Sequence, residues 1–145
     1  MTSGIRRAAG GLLVLEAIWA IYTVYEAPII VCSTNLCLSP PLNPLYSEAL
    51  LMELAAVILL VVGLIGIWGY WLAYPAGAAL SALFLLAMGF SAWIEINYAY
   101  AVAETYLSLV GAALAAIALL VNLVAWRAKY ALSEQANPMN LPVFG

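Results

Sequence analysis

Charged residues are so sparse along this chain that the gaps between them, rather than any apolar periodicity, set out the elements. From Leu54 to Ile94 none of 41 successive positions is charged. A bilayer's hydrocarbon core takes roughly 20 helical residues to cross. A single helix over that stretch would be about 61 Å long, twice the membrane, so it has to double back. Gly69-Tyr-Trp-Leu-Ala-Tyr-Pro75 supplies the break. Pro75 has no amide hydrogen to give a helix, and the aromatics suit the headgroup level. The pattern predicts spans over residues 47–69 and 76–95.

Two more spans follow from the same rule. Residues 105–126 are uncharged, fenced by Glu104 in front and by Arg127 and Lys129 behind, which predicts a span over 104–127. Residues 10–31 form the first span, interrupted by Glu16 and Glu26, with Pro28 near its end. Its apolar run is longer than the 7–15 residues of a signal peptide and ends in no clean Ala-x-Ala site, so it is expected to stay attached. Between the first two spans lies the loop 32–46, where Pro40, Pro41 and Pro44 forbid a continuous helix. The tail 133–145 carries Asn137-Pro138 and Pro142 and is expected to be irregular. The fold class is an all-α integral membrane protein, four helices in an up-down-up-down bundle forming one domain over residues 1–132.

Composition sharpens the assignment. The 145 residues are 68% hydrophobic and 8% charged, too little charge for the surface of a soluble domain. Mean hydropathy is +1.08. The absence of His removes His-ligated haem, His-based metal sites and Ser-His catalysis. Four cationic residues make no nucleic-acid footprint. No catalytic motif is present, and the sequence implies no cofactor.

Orientation follows from Arg6, Arg7, Arg127 and Lys129, which a four-span arrangement puts on one side. The positive-inside rule makes that side cytoplasmic and places both termini there. The loop with Cys32 and Cys37 then lies outside, where a disulfide is stable. Their four-residue gap is neither the two-residue spacing of a redox pair nor that of a zinc half-site. The expected role is a small disulfide stiffening the loop, worth roughly 2 kcal/mol before strain.

Acids within a membrane are expensive and rare. Glu48, Glu95 and Glu104 fall at the outer helix ends, and Glu134 in the tail. Glu16, Glu26 and Glu53 fall deeper and are the candidates for proton or cation binding, or for contact with a partner. Glu16 and Glu26 stand roughly 80° apart around their helix. A Glu26–Glu53 pair at similar depth is an alternative site, in which two acids would share one proton. Protonated acids hydrogen-bonded to Thr23, a Tyr, a backbone carbonyl or a neighbouring subunit are the structural alternative.

Small residues mark where helices approach closely. On the fourth span Glu104, Ser108, Gly111, Ala115, Ala118 and Asn122 recur at alternating spacings of four and three, a packing stripe on which Asn122 needs a partner. The second span offers Glu53, Ala56, Gly63 and Gly66. The third offers Gly77, Ser81, Met88, Ser91 and Glu95. The short connection between these two predicts an adjacent pair with Gly63 near Ser81 or Phe84. With 27 alanines and 10 glycines, several faces suit close contact, which favours assembly with other subunits. Trp68, Tyr70, Trp71, Tyr74, Trp126 and Tyr130 form the inner aromatic belt, and Trp93, Tyr98, Tyr100 and Tyr106 the outer one. Trp19, Tyr22 and Tyr25 instead put polar handles beside Glu16 and Glu26.

An acid, Glu16, in the first of four short helices resembles the small multidrug-resistance transporters. The resemblance covers one residue and the architecture, and the long first loop with Cys32 and Cys37 departs from it. One reading of the residues is a small homo-oligomeric proton- or cation-coupled transporter in which Glu16, or the Glu26 and Glu53 pair, would carry charge. The residues themselves point first to an accessory subunit of a larger complex in the cell membrane, respiratory in one reading, with other membrane subunits and lipid as partners. A quinone-linked thiol oxidase using Cys32 and Cys37 is the third reading.

Overall fold

A computed structural model describes residues 2–32, 44–98 and 102–135, with side chains at 3–24, 50–93, 96–97 and 105–128. The described chain is all helical: α1 (Thr2–Cys32), α2 (Pro44–Ile67), α3 (Ala73–Tyr98) and α4 (Val102–Gln135). All four are long and apolar enough to cross a membrane, over Ser3–Val24, Leu50–Ile67, Ala73–Trp93 and Thr105–Ala128. α1 continues past Pro28, and α2 opens on Pro44, whose missing amide hydrogen is not needed at a helix start. α4 carries through Ser133, Glu134 and Gln135, so these three residues are helical rather than irregular, and the rest of the tail, 136–145, lies outside the described residues.

The reversal between α2 and α3 is tighter than the sequence pattern indicates. Gly69 adopts a left-handed φ of 91°, which only glycine takes without strain. Its amide donates to the Gly66 carbonyl, and that of Tyr70 to the Ile65 carbonyl, closing the end of α2. Pro75 lies inside the first turn of α3, where amides have no acceptor within the helix itself and a proline is tolerated, so the break belongs to Gly69.

α1 is the hub of the packing. It lies along α2 and along α4, while α3 lies along α4; the α2–α3 contact is slight, and the α1–α3 contact is smaller still. A Cβ on Gly10 would stand 2.5 Å from the Gly63 carbonyl oxygen, and one on Gly63 2.9 Å from the Gly10 carbonyl oxygen. These backbones touch with no room for a side chain. This corrects the expected neighbourhood of Gly63. It faces Gly10, Leu13 and Val14 of α1, and Ser81 turns to α1 as well. The physical reason is that the bare surfaces of Gly10, Gly63 and Gly66 fit one another, whereas a short connection requires only that the ends of α2 and α3 meet. They meet at Tyr74, whose hydroxyl donates to the Gly66 carbonyl at 3.2 Å. Tyr74 is therefore core rather than belt, while Trp68, Tyr70 and Trp71 are exposed.

The core is built from small residues and a few large ones: Leu13, Ala17, Ala20, Ala56, Leu59, Phe84, Met88 and Ala115 form one cluster, and Ala9, Tyr74 and Ala125 another. The exterior is apolar. On α2 alone Leu50, Leu51, Leu54, Val57, Ile58, Val61 and Leu64 are exposed. A surface of this kind is stable against lipid tails and not against water.

Candidate functional site

Four polar side chains are buried among the described residues: Glu16, Ser81, Ser108 and Asn122. All lie on the seam between α1, α3 and α4. Glu16 is carried inward because α1 packs through Ala9, Leu13, Glu16, Ala17 and Ala20, a run at helical spacing with every member buried. Glu16 is 0% exposed. Across from it on α3, Ser81 lies one turn beyond Gly77, on the same face. The Ser81 hydroxyl donates to Glu16 Oε2 at 2.7 Å, and Glu16 Oε1 has no partner.

Asn122 occupies the other end of the seam. Its Nδ2 donates to the Ala118 carbonyl at 2.8 Å and to the Ala9 carbonyl at 3.4 Å, which ties α4 to α1. Both neighbours are acceptors, so the amide nitrogen must face them and the orientation of the amide is fixed. Its Oδ1 is buried without a hydrogen-bond donor, against Gly77. A Cβ at Gly77 would stand 2.8 Å from Oδ1 and 2.6 Å from Leu13 Cδ1, so only glycine admits both groups. A third tie comes from Trp19, whose indole nitrogen donates to the Leu107 carbonyl at 3.0 Å. The Thr23 hydroxyl donates to the Trp19 carbonyl on its own helix and not to an acid.

Glu16, Ser108, Gly111, Ala115, Ala118 and Asn122 thus lie within the bundle. The stripe on α4 packs inside the chain's own fold, with Gly111 against the Met88 side chain. Glu53 is separated from them: it is exposed on the flank of α2, while Ala56, Gly63 and Gly66 of the same helix are buried. The side chains of Glu26 and Cys32, and the whole of Cys37, lie outside the described residues, and with them the acid pair and the disulfide. The Glu16–Ser81 bond was not legible in the sequence. Glu16 and Ser81 each stood out there, but nothing in the spacing said that α1 and α3 meet at that level.

Compared with known proteins, the chain matches no family model, no curated protein and no solved structure.

Proposed function

We propose that the chain is a subunit of a larger complex in the cell membrane, an up-down-up-down bundle with both termini cytoplasmic and no cofactor of its own. The grouping of Arg6, Arg7, Arg127 and Lys129 at one end supports the orientation. The observation that carries the subunit reading is Glu53. It stands within the apolar window of α2, on the exterior, beside exposed Leu50, Leu54 and Val57. Among the described residues nothing hydrogen-bonds it. A carboxyl group turned towards lipid costs a few kcal/mol, and a donor from a neighbouring chain removes that cost.

Mild-detergent purification followed by native mass measurement tests this. A mass containing other chains, reduced towards that of the single chain by Glu53→Leu, is the expected result. A native mass equal to one or two copies of this chain alone overturns it.

The second reading is a homo-oligomeric proton- or cation-coupled transporter, favoured by the burial of Glu16 within the bundle. Glu53 contributes less to that reading, because it does not share the seam with Glu16. The thiol-oxidase reading depends on Cys32 and Cys37 and gains nothing from the described residues.

A further inference from the structure

We propose that Glu16 and Ser81 together form a binding site for a single proton in the middle of the contact between α1 and α3. The surroundings leave a carboxylate nothing to balance it. α1 carries Arg6 and Arg7, but the Arg6 guanidinium lies over Gly69 at the reversal, and ten residues separate it from Glu16, about 15 Å along the axis. Arg7 and Arg127 are exposed, as is Glu53 of α2, and the ionisable side chain of α3 described within the core, Tyr74, is a phenol whose hydroxyl is engaged by the Gly66 carbonyl. Around the acid stand Leu13, Ala17, Ala20 and the rest of an apolar cluster. A charge enclosed in this way with one hydrogen bond is far more strongly disfavoured than a neutral acid.

The hydrogen bonding agrees with the neutral form. A membrane-helix serine ordinarily returns its hydroxyl to a carbonyl one turn back on its own helix. Ser81 instead donates across to Glu16 Oε2, which acts as the carbonyl oxygen of the acid and leaves the proton on Oε1. Oε1 is fully enclosed and has no partner. Here one oxygen is fixed and the other is left with an unmet hydrogen-bonding capacity, so the proton is held by exclusion of water rather than by an acceptor. Parting α1 from α3 would expose it for exchange. This inference holds whether the chain acts alone or within a complex, and its failure leaves the subunit reading standing.

Infrared spectroscopy of the full chain in phosphatidylcholine vesicles at neutral pH tests it. The expected spectrum contains the C=O band of a protonated carboxylic acid, and Glu16→Gln removes intensity equivalent to one carboxyl group per chain. Ser81→Ala should retain that band and move it to higher frequency, because the hydrogen bond to Oε2 is gone. An unchanged spectrum for Glu16→Gln overturns the proposal. So does a band that sodium chloride abolishes but potassium chloride does not, which would make the site one for sodium. Gln has the shape of the neutral acid and is expected to fold. Should it fail to, the shift in Ser81→Ala decides alone, and no shift overturns the proposal.

Discussion

Two contacts made by α1 show two ways of joining helices where the hydrophobic effect gives no help. Against α2 the joint is bare: Gly10 meets Gly63 and Gly66, backbone on backbone, with no polar side chain between. Against α3 and α4 the joint is polar, made by Glu16 with Ser81, Asn122 with Ala9, and Trp19 with Leu107. Lipid tails are as apolar as any side chain, so helices associate through close packing and through hydrogen bonds. The bare joint gains from surface fit and tolerates no added atom. The polar joint tolerates the loss of a bond but not the arrival of a charge. The difference also separates roles, because only the polar side carries groups able to hold or pass a proton.

The largest effect is expected at the polar joint from a charge with no partner. Glu16→Lys should destabilise the bundle by about 3–5 kcal/mol or prevent its folding. Thermal denaturation in detergent, followed by helical circular dichroism, would show it.

Next comes the bare joint. Gly10→Ala forces a methyl group against the Gly63 carbonyl and Ile67, and overpacking of this kind costs about 1–3 kcal/mol. The neighbouring Gly11 has nothing within 4 Å of a Cβ, so Gly11→Ala should stay within about 0.5 kcal/mol of the parent. Equal losses for the two variants, measured in one denaturation series, would mean that α1 and α2 do not meet at Gly10.

Smaller effects are expected from neutral deletions in the polar seam. Asn122→Ala removes the ties to Ala9 and Ala118 and should cost about 1–2 kcal/mol. Ser81→Ala removes a single interhelical bond, for which about 0.6 kcal/mol is typical within membranes. A double-mutant cycle of Glu16→Leu with Ser81→Ala should show coupling, whereas Glu16→Leu with Gly11→Ala should be additive.

The existence of four helices was legible because the rule involved is a matter of length: 41 uncharged positions exceed one crossing, and nothing local competes with that. Contacts between particular helices were less legible. Chain connectivity placed α3 beside α2, but a reversal of a few residues constrains only the helix ends. The remaining faces are chosen by fit, and Gly63 fits Gly10 better than it fits anything on α3. Tyr74 misled for a similar reason. Its position beside Trp71 suits an interfacial aromatic, yet its hydroxyl reaches the Gly66 carbonyl that the sharp turn brings near. Depth along a span does not report direction around it, and this is why Glu16 and Glu53 looked alike in sequence while one is enclosed and the other lies on the exterior.

The most direct test of the polar seam is a cross-link across it, from α1 to α3. Glu16→Cys and Ser81→Cys would be combined in a chain whose Cys32 and Cys37 are replaced by Ser, then treated in intact membranes with a short, membrane-permeant reagent that alkylates two thiols, because the long Glu16 side chain bridges more than a disulfide does. An intramolecular cross-link joining α1 to α3 is predicted. Thiols that each react singly and never together, in a chain that remains helical and inserted, would contradict the packing on which the proton site depends.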